Sequence, residues 1–192
     1  MLRDFPRDVL ADPLLHNAVN GNAGEVRRLL AQGREIDAVP SLNLVLVFVA
    51  HQRQCSPEVV NALVEGGADP AVVDDTGMNV LLMAAASGAG DCFKTLLALG
   101  ADPARLNING YGVVSHAYLS GDISFFNWVL GSDDVAPKHS GDLNIALQAA
   151  LLGEDWTSCR TLLEAGAELT PLAGGKRSTS RPLDSADLDR CR

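Results

Sequence analysis

Aromatic residues make up only 5% of this 192-residue chain, and its 15 basic residues are outnumbered by 24 acidic ones. A net charge of −9 leaves little basic surface to follow a phosphate backbone, so nucleic acid is not an expected partner. The same charge serves solubility and permits a basic protein partner. Cysteine is scarce: Cys55, Cys92, Cys159 and Cys191, with no CxxC pair among them. Neither a disulfide framework nor a zinc site is expected. Cys92 and Cys159 read as packing residues, and a reducing compartment follows. No apolar run is longer than Leu44 to Ala50, which falls far short of the roughly 20 residues that span a bilayer. The N-terminus, MLRDFPRDVL, lacks the apolar core and cleavage site of a signal peptide. A cytoplasmic protein without membrane contact is expected.

Catalytic signatures are missing as well. No HExxH, Walker loop or strand-borne GxGxxG occurs. His16, His51, His116 and His139 fall in four separate regions. Ser115 and His116 are neighbours near Asp122, yet adjacent residues on a helix point about 100° apart and would not meet. Ser87-Gly88-Ala89-Gly90 reads as a helix–helix bend rather than a phosphate cradle. No metal or cofactor is expected, and the chain is not expected to be an enzyme.

What the chain has in abundance is periodicity. A doubled apolar position appears at Leu29-Leu30, Leu63-Val64, Leu96-Leu97, Val129-Leu130 and Leu162-Leu163, at separations of 34, 33, 33 and 33 residues. Gly67 and Gly100, Gly77 and Gly110, and Gly88 and Gly121 are each 33 apart, and Asp69-Pro70 returns as Asp102-Pro103. The clearest period is DDTGMNVLLMAAASGAGDCFKTLLALGADP, residues 74–103. It reads as a tight turn, a short apolar helix, a Ser-Gly stop, a second helix and a Gly-Ala-Asp-Pro terminator. Helices this short are unstable alone in water and must stack on their like. A period near 33 with two helices per unit marks a repeat architecture.

The unit resembles the ankyrin repeat, whose pattern runs approximately D-x-x-G-x-T-P-L-H-x-A-A-x-x-G and then V-x-x-L-L-x-x-G-A-D. The likeness departs at Asn79, Val80 and Leu82, where the family prefers Thr, Pro and His, which implies a looser turn there. The fold implied is an all-α ankyrin-repeat solenoid of about five helix-turn-helix units joined by short turns or hairpins. A lead-in spans residues 1–11 and the repeat domain 12–171, with units at about 12–37, 38–70, 74–103, 107–134 and 142–170. Residues 172–192, rich in Gly, Ser, Pro and charge, are expected to be disordered.

Local signals agree at most places. Asp12-Pro13 opens unit one, and Ser56 and Pro57 open the second helix of unit two. The first helix of unit two, Leu42 to about Gln54, is rich in β-branched residues and alone would suggest a strand. The flanking units fix its phase as helix, with about two extra residues at its bend. It lacks the turn motif, so unit two is expected to open locally. The segment GSDDVAPKHSGD is expected to be an irregular acidic loop. In unit five, GEDWTS makes an altered bend and Trp156 could cover the end of the stack.

The resemblance implies a binding module that uses turn tips and the face of the first helices. Carried over by position, the contact residues are Asp75, Thr76, Met78, Ala86 and Ser87 in unit three, and Ile108, Asn109, Tyr111, Leu119 and Ser120 in unit four. Met78, Ile108, Tyr111 and Leu119 are apolar where exposure is expected, as at partner-binding patches. Acidic Asp74, Asp75, Asp133 and Asp134 could steer a basic partner. The expected function is a monomeric, non-catalytic protein-interaction module. The alternative is an inhibitor or immunity protein that neutralises a toxin or enzyme through its acidic surface. Self-assembly through the apolar helix of unit two is a further alternative.

Overall fold

The computed structural model describes residues 12–33, 41–135, 138–168 and 190–191. The expected lead-in and, of the tail expected to be disordered, residues 172–189 and 192 lie outside them, while Arg190 and Cys191 are helical. Among the described residues from 12 to 168, ten α-helices alternate between two layers. The first layer holds α1 (Pro13–Val19), α3 (Leu42–Ala50), α5 (Val80–Ser87), α7 (Val113–Leu119) and α9 (Ser140–Leu152). The second holds α2 (Ala23–Ala31), α4 (Pro57–Glu65), α6 (Gly90–Ala98), α8 (Ile123–Gly131) and α10 (Trp156–Glu164). Each first-layer helix packs on the next one along the chain and on its own second-layer partner. No β-strand forms among the described residues; an isolated bridge joins Val73 to Asn79.

The doubled apolar positions build the core asymmetrically. Leu63, Leu96, Val129 and Leu162 are fully buried, while Val64, Leu97, Leu130 and Leu163 are half-buried on its flank. Each buried member contributes about 1.5–3 kcal/mol. The few aromatic side chains are concentrated rather than spread. Phe93 on α6 meets Phe125 edge-on at 5.2 Å and Trp128 at 6.0 Å, both on α8. Lys94 sits 4.8 Å over the Trp128 ring.

Unit two is helical throughout. Its β-branched run folds as α3 because it is enclosed between α1 and α5, where Val45, Leu46, Phe48, Val49 and Ala50 are buried. Packing overrides propensity there. The Ser41 hydroxyl caps it by accepting from Leu44 N at 3.3 Å. The helix stops at Ala50, short of Gln54, and residues 51–56 form a longer bend than the Gly88-Ala89 bend of unit three. That bend carries Cys55 to Cys92 on α6, with which it forms a disulfide across two units. This corrects the expectation of unpaired packing cysteines, and the reducing compartment loses that support. Far from standing loose, unit two is enclosed by core and tied to its neighbour.

Two further departures follow from chain geometry. The acidic segment before unit five is not an irregular loop: Asp133–Val135 is a short 3-10 helix. In addition, α9 starts at Ser140, six residues ahead of the position that Val113 marks one 33-residue period earlier. At the helix–helix bends, Gly21, Gly88 and Gly121 adopt left-handed backbone with φ of 77°, 66° and 77°. Glu154 stands in that place in unit five with φ 54°. A side chain there costs about 1–3 kcal/mol in strain, against about 0.5–1 kcal/mol for the greater freedom of glycine in the unfolded chain. Glu154→Gly should therefore stabilise the protein by about 1 kcal/mol, read as a higher urea midpoint at unchanged slope. An unchanged or lowered midpoint would show that Glu154 is not strained.

Candidate protein-binding face

Between α4 and α5, and again between α6 and α7, the chain forms a hairpin finger. The Asp74 carboxylate organises the finger of unit three. Its Oδ1 accepts from Thr76 N at 2.9 Å, Thr76 Oγ1 at 2.7 Å and Met78 N at 2.9 Å. Thirty-three residues on, Asn107 Oδ1 accepts from Asn109 N at 2.9 Å and Tyr111 N at 3.0 Å. Such Asx turns replace a ladder of backbone bonds with one short side chain. Successive fingers join where Ile108 N donates to the Thr76 carbonyl at 3.0 Å. Gly77 allows this contact: it has φ 78°, and a Cβ there would stand 3.1 Å from Asn107 Cα. The turn at Asn79 is not looser for want of threonine. Asn79 is buried, its Oδ1 accepts from Leu82 N at 2.8 Å, and its Nδ2 donates to the Asp102 carbonyl at 3.3 Å.

The expected contact residues divide on burial. Asp75, Thr76, Ile108, Asn109 and Leu119 are exposed, with Ile108 at 72% and Leu119 at 55%. Met78 and Tyr111 are not the exposed apolar residues expected. Met78 packs against the core, with its sulfur 3.7 Å from Asn107 Nδ2. Tyr111 is half-buried with its ring against His116 at 5.8 Å. Their finger positions turn them back toward the stack. Ala86 is half-buried. Ser87 and Ser120 are occupied by the scaffold: Ser87 Oγ donates to the His51 carbonyl at 3.0 Å and Ser120 Oγ to the Ala117 carbonyl at 2.7 Å. Leu152, 49% exposed, was not among the expected residues. It lies 33 residues after Leu119, so the period alone could have pointed to it.

Behind the finger of unit four lies a buried polar knot. Gly112 begins α7 and has no side chain to cap it. The cap arrives from unit five. Asp142, only 2% exposed, accepts from Gly112 N at 2.8 Å, Val114 N at 2.8 Å and Ser115 N at 3.1 Å. The early start of α9 places Asp142 there. A Cβ on Gly112 would stand 2.6 Å from its Oδ2, so the glycine and the carboxylate depend on each other. His139, just ahead of α9, places Nε2 2.6 Å from the Ala104 carbonyl. His116 is also close. Its Nε2 is buried without a hydrogen-bond partner, and burial holds its imidazole below the ordinary value, against the opposing pull of Asp142.

These groups do not form a reactive centre. The Ser115 hydroxyl is buried and donates to the Gly112 carbonyl at 3.3 Å, while Asp122 caps α8 through Phe125 N at 3.0 Å. Among the described residues, no cluster of His, Cys, Asp and Glu could hold a metal ion, and no helix is long and apolar enough to cross a membrane. The exposed charge near the fingers is acidic at Asp74 and Asp75, and Asp133 and Asp134 are exposed as well.

Paired helices in two layers, with fingers in register on either side of unit three, define a helical repeat protein. A family model of three ankyrin repeats matches residues 14–107, and this chain is an ankyrin-repeat protein. Units four and five, mostly beyond that match, are built on the same plan. The crystal structure of the human ASB11 ankyrin repeat domain is similar, with a TM-score of 0.64 and 26% sequence identity over 82% of this chain and 70% of that one. No curated protein matches the chain in sequence. Ankyrin repeats are, as a class, protein–protein interaction modules.

Two outcomes follow from the polar knot. Asp142→Ala strands three buried backbone donors and should cost about 2–4 kcal/mol in urea unfolding. Gly112→Ala should cost a similar amount, and the double variant clearly less than the sum, because both break one contact. Additive losses would show that the two residues act separately. The second outcome concerns pH. The unfolded chain protonates His116 near its ordinary value of about 6.5, before the folded chain does. The stability His116 contributes is therefore complete above that pH and declines as pH falls below it toward the lowered folded value. Urea midpoints should drop between about pH 7 and about pH 5.5, and His116→Gln should flatten the drop. A wild-type profile matched by the variant would remove His116 as the cause.

Proposed function

We propose that the chain is a non-catalytic module that binds a protein partner through its finger tips and the outer ends of its first-layer helices. The observation that carries this reading is the repetition of an exposed leucine. Leu119 and Leu152 end α7 and α9 at equivalent places in adjacent units and remain 55% and 49% exposed. Large apolar side chains left open in register on a packed scaffold are a common mark of a contact surface. Ile108 supplies a third exposed apolar group at the tip of a finger, and Asp75 and Asn109 supply polar groups beside the tips. The acidic finger of unit three, with Asp74 and Asp75 exposed, favours a partner with basic surface by steering its approach. A net charge of −9 also suits an inhibitor that covers a basic toxin or enzyme, and the identity of the partner decides between the two. A cytoplasmic setting accords with an interaction module but draws no support from the Cys55–Cys92 disulfide.

The test is capture of partners by wild type and by an Ile108→Glu/Leu119→Glu/Leu152→Glu variant, with circular dichroism and urea unfolding to establish that both fold alike. One partner held by wild type and bound at least tenfold more weakly by the variant, about 1.4 kcal/mol, supports the reading. Loss of a co-purified enzyme's activity on binding would make it an inhibitor. Equal capture by both proteins would overturn the proposed face. Met78 and Tyr111 are unsuitable test positions, because their half-buried side chains would report folding.

A further inference from the structure

The end of the chain returns to the fifth unit. Arg190 and Cys191 are helical, and the Cys191 side chain is fully buried. Two contacts fix this turn on α10. Arg160 Nε donates to the Cys191 carbonyl at 3.2 Å, and the Arg190 guanidinium lies 5.6 Å from the centre of the Trp156 ring. Trp156, expected to cover the end of the stack, instead lies under the Arg190 guanidinium. Between these contacts the Cys191 thiol lies against the Cys159 thiol, close enough to interact by hydrogen bonding. Cys159 is fully buried on α10. Both cysteines are thiols here, whereas Cys55 and Cys92 are joined.

We propose that Cys159 and Cys191 are a second, oxidisable pair, whose disulfide would latch the end of the chain onto the last ankyrin unit. The occupants of the site are thus the chain's own two thiols, and the reagent it takes is a small disulfide such as oxidised glutathione. Burial pushes the Cys159 thiol up to about 12, with Cys191 adding to the effect, so Cys159 is a poor first nucleophile. Cys191 sits on a short turn that Arg160 and Arg190 help to hold on α10, and it attacks first once that turn lifts. Its thiolate, having released a proton, attacks one sulfur of the small disulfide. A mixed disulfide forms and one glutathione thiolate leaves, taking up a proton. When the turn settles back, Cys159 attacks the Cys191 sulfur of the mixed disulfide, and the second glutathione leaves as its thiol. In sum, two protein thiols are oxidised by two electrons and one small disulfide is reduced to two thiols.

The pair differs from Cys55–Cys92 in what it ties. The first disulfide links neighbouring units within the stack, whereas the second would link α10 to a turn that reaches it from 31 residues farther along the chain. That turn covers part of α10, with Arg190 over Trp156 and Cys191 beside Cys159. Oxidation would make that cover permanent.

The experiment treats the wild-type protein with oxidised glutathione, blocks remaining thiols with iodoacetamide, digests with trypsin without reduction and reads the peptides by mass spectrometry. The expected result is loss of the alkylated forms of both cysteines. In their place should appear the Cys159 peptide joined to the Cys191-Arg192 dipeptide, lighter than the sum of the two by two hydrogen atoms. Thermal unfolding after the same treatment should shift upward for wild type and stay unmoved for Cys191→Ser, which retains Cys55 and Cys92. Recovery of Cys159 and Cys191 as alkylated thiols would overturn the proposal. So would glutathione adducts that never resolve, or a link between two chains.

Discussion

The carboxylate of Asp142 accepts the first amide hydrogens of a helix that precedes it by 27 to 30 residues. Without it α7 would begin with three buried donors and no acceptor, because Gly112 offers no side chain. Each such donor left unsatisfied costs about 1–3 kcal/mol. The same dependence on a neighbour recurs along the stack. Thr76 and Ile108 join two fingers, and Ser87 reaches the His51 carbonyl of the previous unit. A unit of this kind closes neither its polar backbone nor its apolar faces alone, so the repeats fold as neighbours or not at all.

This constraint also sorts surface from scaffold. Side chains at the base of a finger or at a bend are taken up by the scaffold: Met78 and Ser87 meet the adjoining unit, and Tyr111 and Ser120 bind within their own. Side chains at the tips and at the helix ends have no such duty. Ile108, Leu119 and Leu152 are open for that reason, and they carry the proposed contact. Acidic groups at Asp74 and Asp75 show how the two roles can share a few residues: Asp74 builds the finger that Asp75 displays.

The 33-residue period made the fold legible, because a repeated chemistry at a repeated spacing needs only one solution for each unit. It placed α3 as a helix against the propensity of its valines, while local signals marked the helix starts at Asp12-Pro13 and Ser56-Pro57. Legibility failed wherever the chain broke its own register. The early start of α9 hid Asp142, which in a regular unit would have fallen on a finger. The longer bend of unit two hid Cys55–Cys92, since a separation of 37 residues says nothing of proximity until the bend is traced. Exposure at Met78 and Tyr111 was misjudged for another reason. Register gives a residue's place in the unit, but not the direction of a half-buried side chain in a finger.

The dependence of one unit on the next is tested most directly by native-state hydrogen exchange in wild type and Asp142→Ala. In wild type the amides of Gly112, Val114 and Ser115 should be protected together. In the variant all three should exchange far faster, while amides in α1 and α3, three and two units away, keep their protection relative to global unfolding. Unchanged protection at the start of α7 would contradict the account, because α7 would then hold its first turn without its neighbour.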